Sequence, residues 1–175
     1  MRRSAFLLAT LSLAGCGYSQ SRMAHEAQIS MIGMSSADLL ACAGPPTSTT
    51  KISDVAEVRT YAYKPAGTGG LTVTLPLTLG AVAIGGGGIG CSAMMRVVDG
   101  KVTEVHYTGD DDLTIGNDGV CTPVIRGCMR QPEATMQPVT GTNYDHSSAY
   151  SSPPVPPQPA DAQVPPKESK AAVAP

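Results

Sequence analysis

The chain contains no tryptophan, and its one phenylalanine, Phe6, lies in the N-terminal segment. With aromatic residues at 4%, any core has to be assembled from Val, Ile, Leu, Met and a few Tyr. Such a core lacks the large area that aromatic rings bury, so covalent staples are expected to supplement it. Charge is scarce as well. Charged residues make up 15% of the chain, the formal net charge is -2, and Lys and Arg form no cluster, which excludes a phosphate-binding surface of the nucleic-acid kind. No Cys-x-x-Cys pair occurs and no His flanks a cysteine, which argues against zinc. The glycines at 85–88 are not followed by the Lys-Ser/Thr of a phosphate loop. Catalytic chemistry needs a nucleophile and a base, or paired carboxylates, and the three histidines, His25, His106 and His146, stand far apart in sequence. Glu104 and His106 alternate on one strand face, which could place an imidazole beside a carboxylate, but a surface pair is the simpler account. The expectation is a non-enzymatic protein with no cofactor and no metal.

What is present begins at the N-terminus. Met1-Arg2-Arg3 precedes an apolar run over 5–13, and Leu13-Ala14-Gly15-Cys16 closes it. A cationic end, a short apolar core and small residues before a cleavage point mark an export signal too short to remain as a spanning helix. The quartet ending in Cys16 resembles the lipobox of bacterial lipoproteins. That resemblance implies cleavage before Cys16, acylation of its thiol and membrane attachment through the lipid. One buried acyl chain holds a protein only marginally, at ~0.8 kcal/mol per buried CH₂, whereas the several chains that the resemblance implies anchor it stably. Gly17 is not the aspartate associated in that family with the inner membrane, so the implied location is the outer membrane, periplasmic face. Residues 1–15 are therefore read as a lipoprotein signal and 16–22, small and polar, as a lipidated tether.

With Cys16 assigned to lipid, Cys42, Cys91, Cys121 and Cys128 remain, an even number in a chain sent to an oxidising compartment, and disulfides are expected. Four cysteines allow three pairings. Closeness in sequence across a turn at Pro123 favours Cys121 with Cys128, leaving Cys42 with Cys91.

Along the chain, mixed three- and four-residue spacings over 23–32 predict a short helix. A second is better marked: Ser35 and Ser36 offer N-cap oxygens, Asp38 lies three after Ser35, Leu39 and Leu40 follow, and Gly44 with Pro45 and Pro46 ends it. The run Ile32-Gly33-Met34-Ser35-Ser36-Ala37-Asp38-Leu39-Leu40-Ala41-Cys42-Ala43-Gly44-Pro45-Pro46 resembles the signature of small outer-membrane lipoproteins of the SmpA/OmlA (BamE) type. The resemblance covers about 23–108 and implies an α+β fold, two short helices followed by a small three-stranded antiparallel sheet. Segments 55–63, 92–98 and 101–108 fit the strand order, and Asp99-Gly100 suits the tight hairpin between the last two. The cysteines and the long link between the first two strands depart from the family pattern. As function, the resemblance implies a non-catalytic scaffold or accessory in outer-membrane protein assembly or envelope integrity, with an envelope protein as partner. The alternative is a membrane-tethered periplasmic binding or inhibitor module.

The domain is bounded at 23–130, with a Gly-rich insertion near 65–91. Residues 65–95 carry no charge. Leu71, Val73, Leu75, Leu77 and Leu79 alternate with Thr or Pro, which places five apolar side chains on one face of a strand or small hairpin. They are the candidate partner-binding face; a transmembrane helix is the rival, opposed by Pro76 and the glycines. Asp110, Asp111, Asp112 and Asp118 lack the spacing of a calcium loop and read as a solvated turn. Residues 121–128 read as a cysteine-flanked loop with Val124 and Ile125 over the core. Ten of the 15 prolines fall in 131–175, and that composition predicts a disordered tail with polyproline character.

Overall fold

The computed structural model describes residues 15–66, 71–74, 81–84 and 89–160. Helices α1 (Gly15–Ser30) and α2 (Ser36–Ala43) lead into strands β1 (Ser48–Lys51) and β2 (Ala56–Tyr63). Strands β3 (Leu71–Thr74) and β4 (Ala81–Ile84) form a separate antiparallel pair. Strands β5 (Gly90–Val98) and β6 (Lys101–Asp110) follow, then a 3₁₀ turn (Gly119–Cys121), helix α3 (Thr122–Arg130) and a single turn of helix, α4 (Gly141–Tyr144).

The main sheet has four antiparallel strands in the order β1-β2-β5-β6, not three. The added strand, β1, reads Ser-Thr-Thr-Lys and is exposed at every position, so it carries no hydrophobic period by which a sequence reading would find it. Helices also exceed expectation: four are present among the described residues, and α3 and α4 follow the sheet rather than precede it.

Local signals were followed where they were strong. Ser35 Oγ accepts from the Asp38 N–H at 3.1 Å, and Gly44 ends α2 with φ +77°. Asp99 and Gly100, at φ +49° and +72°, make the β5–β6 hairpin in the left-handed conformation that a two-residue turn needs. On β5, Cys91, Ala93, Met95 and Val97 alternate into the core. On β6 the period breaks. The register slips between Arg96 and Val97, leaving Thr103 as the extra residue, and this bulge lets both Val102 and Val105 face inward.

Those side chains pack with Tyr61, with Ala24 and Ala27 of α1 and Met31 just after it, with Leu39 of α2 and with Ile125 of α3, so the three longer helices share one face of the sheet. Val58, Met94, Arg96, Glu104 and His106 line a shallow recess on the opposite face.

Three readings of the flanks are corrected. The polar stretch read as a tether is helical, continuous with α1 from Gly15. Ser21 is fully buried there, against Gly116 and Gly119 of the β6–α3 loop, so the helix's inward stripe starts with a residue that hydropathy assigns to solvent. The 121–128 loop is instead the start and body of α3, with Pro123 in its first turn, where a missing N–H costs nothing. The tail, over 131–160, lies against the body. Gln137 N–H donates to Ser30 O at 2.8 Å, Asn117 N–H to Ala149 O at 2.8 Å, and Ala149 is fully buried. Its prolines limit the entropy of the unfolded chain, so few contacts suffice to order it. The rest of the tail, 161–175, lies outside the described residues.

Candidate functional site

A buried polar cluster centres on His25, which the sequence reading set aside as one of three scattered histidines. It sits on the inward stripe of α1 with Ser21 and Ala24, and its ring has no exposure. Nδ1 faces the Ser148 carbonyl oxygen, and Nε2 lies 2.9 Å from Asp118 Oδ2. Ser152 Oγ donates to the same Asp118 oxygen at 3.1 Å and stands 3.4 Å from Nε2. Asp118 is held in the left-handed region at φ +59°, and its N–H donates to Asp112 Oδ1 at 3.1 Å.

The electrostatics follow from this geometry. Burial disfavours a charged His25 ring, but the hydrogen bonds to Asp118 and to Ser148, reinforced by the charges of Asp118 and Asp112, outweigh it, and the pKa rises above its ordinary 6.5. Asp111, 7% exposed, moves up too, through its burial and then the neighbouring Asp118, Asp112 and Asp110 carboxylates. The acidic turn read as solvated is therefore partly interior. Oxygens of Asp111, Asp112 and Asp118 lie within 4.8 Å of one another, a spacing that one hard cation could bridge, but His25 and Ser152 already claim Asp118.

Ser152, His25 and Asp118 are the residue types of a hydrolase triad, yet the arrangement differs. A triad places serine and carboxylate on opposite ring nitrogens, so that one orients while the other gives up its proton. Here both stand at Nε2, and Nδ1 is taken by a carbonyl. The cluster is suited to joining segments rather than to activating a nucleophile.

The other candidate residues are dispersed. Glu104 pairs with Arg96 at 3.0 Å instead of His106, and His106 is exposed across from Met94 on β5. His146 is exposed in the C-terminal segment. Leu71 and Val73 lie in β3; Leu75, Leu77 and Leu79 lie outside the described residues. Cys16 falls within the first turn of α1.

All four remaining cysteines form disulfides, with partners other than those favoured by proximity in sequence: Cys42 with Cys128 and Cys91 with Cys121, at Cα separations of 4.8 and 5.2 Å. The reason is helix geometry. Cys121 precedes α3 and Cys128 lies near its end, about two turns or 10 Å along the axis, beyond the reach of a disulfide. The close approach of α2 and α3 that allows the first bond depends on Gly127, where a Cβ would collide with the Cys42 carbonyl oxygen. Comparison with known protein families, with characterised proteins and with solved structures finds no match to this chain.

Proposed function

We propose that this is a non-catalytic lipoprotein of the bacterial envelope, acylated at Cys16, held at the periplasmic face of the outer membrane, and acting as an accessory in outer-membrane protein assembly or envelope integrity. The observation that carries the reading is the Leu13-Ala14-Gly15-Cys16 quartet together with the cysteine arithmetic. Four of the five cysteines pair with one another, so Cys16 has no cysteine partner within the chain. Two disulfides in a small domain also suit an oxidising compartment. Among the described residues no helix is long and apolar enough to cross a membrane, and attachment through lipid needs none.

The helix at 15–30 adds a geometric consequence. With residues 16–30 helical, a lipid on Cys16 would join the domain through helix rather than through a flexible leash. The assembly role rests on the resemblance of 32–46 to the SmpA/OmlA type, and the apolar 71–79 face is the proposed contact for an envelope protein.

Intact-mass analysis of the membrane-extracted protein tests the reading. The expected species starts at Cys16 and carries fatty-acyl mass, and Cys16→Ser shifts the protein from outer-membrane to soluble fractions. Recovery of unacylated protein, or unchanged fractionation of the variant, overturns it. Crosslinking in intact cells is expected to recover an envelope protein, with Leu71→Asp and Val73→Asp weakening the capture.

A second reading, a tethered periplasmic binding or inhibitor module, is favoured by the recess of Val58, Met94, Arg96, Glu104 and His106 on the sheet face opposite the helices. It predicts loss of a soluble partner on Met94→Asp while outer-membrane protein levels stay normal.

A further inference from the structure

Three segments distant in sequence meet at His25: α1, the loop carrying Asp118, and residues 148–152 of the C-terminal segment. The ring's two partners, a carbonyl and an ionised carboxylate, can only accept hydrogen bonds. A neutral imidazole has one N–H and satisfies one of them, leaving the other nitrogen's lone pair against an oxygen in a buried place. The imidazolium has two and satisfies both. Ser152 donates to the same carboxylate, so Asp118 holds ring and segment together.

Beyond Ser152 the chain runs beside β6, the edge strand of the sheet. Gln158 Nε2 donates to Thr103 O at 3.1 Å, and Thr103 Oγ1 donates to Gln158 Oε1 at 2.8 Å. Pro153, Pro154 and Pro156 line a recess there with Glu104 and His106. Prolines have no N–H to extend the sheet, so this stretch covers the edge without becoming a strand. It is lightly held, with Val155 57% exposed.

We propose that residues 146–158 form a strap latched onto the domain by protonated His25, and that loss of this proton frees the strap and uncovers the outer edge of β6. Asp118 and Asp112 of the loop favour the charged ring, and Asp111 lies beside them. Tyr107 of β6 commits its hydroxyl to Ala24 O at 3.0 Å, and Arg22 and Glu26 on α1 pair with each other at 2.8 Å. Glu104 and His106 lie farther along the strap, and Asp145 and His146 stand at its start. Because the folded-state pKa is raised, the latch is fully closed below the ordinary histidine range and opens as pH rises through the higher value.

Hydrogen exchange on the full lipidated protein in detergent, corrected for intrinsic rates, reads this directly. The Ser147, Ser148 and Asn117 amides, bonded to Tyr144, Ser151 and Ala149, are expected to lose protection about tenfold or more between about pH 6 and about pH 9, while β5 amides hold theirs. His25→Gln should abolish that dependence; His106→Gln and His146→Gln should keep it. Equal protection at both pH values overturns the proposal, as does a dependence that survives His25→Gln or vanishes in His146→Gln or His106→Gln. Should His25→Gln not fold, NMR titration of the wild-type His25 ring must give the same midpoint as the loss of strap protection, and a mismatch overturns the latch.

Discussion

Removing the Cys42–Cys128 bond by Cys42→Ala and Cys128→Ala together gives the sharpest test of how this domain is stabilised. The bond spans 86 residues and encloses the 30-residue span of Cys91–Cys121. With the inner bond intact, the effective outer loop is 86 less 30, or 56 residues. Chain-entropy arithmetic gives about 4.2 kcal/mol for closing a loop of that length and about 3.6 kcal/mol for the inner one. A small domain has about 5–15 kcal/mol in total, so loss of the outer bond should consume a large share. Urea unfolding followed by far-UV circular dichroism reads the change as a drop in midpoint, with the slope reporting any added expansion of the unfolded chain. A loss below about 1 kcal/mol would refute the view that the long-range staple compensates for the small-residue core. Tryptic mapping without reduction supplies the pairing itself. Cleavage at Arg126 separates Cys121 from Cys128, so a Cys42 peptide should be joined to the Cys128 peptide and a Cys91 peptide to the Cys121 peptide.

Gly127→Ala sets two effects against each other: better helix propensity gains about 1 kcal/mol, but a Cβ against the Cys42 backbone costs about 1–3 kcal/mol or more. Net destabilisation is expected in thermal melts, and a rise in melting temperature would contradict the α2–α3 approach. Met95→Ala, at a fully buried position, should cost about 2–5 kcal/mol in the same denaturation assay, whereas a near-neutral result would place β5 elsewhere. Tyr107→Phe removes the buried hydroxyl bond to Ala24 O and should cost about 1 kcal/mol; no change would mean that the bond does not form. For pH, the raised His25 pKa contributes stability that is complete below about 6.5 and lost as pH rises through the folded value. The urea midpoint of wild type should therefore lose this contribution across that window, and Asp118→Asn should flatten the response.

Capping and turn chemistry were legible because each depends on a few adjacent residues. Ser35, Asp38 and Gly44 bound α2, and Asp99-Gly100 turn β5 into β6, with no reference to the rest of the chain. Extended segments over 55–63, 92–98 and 101–108 were recognisable, although the Thr103 bulge, which brings Val102 and Val105 to one side, was not. The candidate site was largely illegible. Ser21 and His25 looked like residues of a solvated stretch or its border, and Asp111 like part of an exposed turn, because burial of a polar group depends on what packs over it. Nothing near His25 indicates Ser148, 123 positions away.

By itself, then, the sequence determined the capped second helix, the final hairpin and the expectation that cysteines would supplement a core poor in aromatics. Tertiary structure decided which cysteine meets which, that residues 16–22 belong to the first helix, and that much of the proline-rich C-terminal segment returns to the domain. The division has a physical cause: caps and turns are settled within a few residues, whereas disulfide partners and buried polar contacts exist only after helices and sheet have closed on one another.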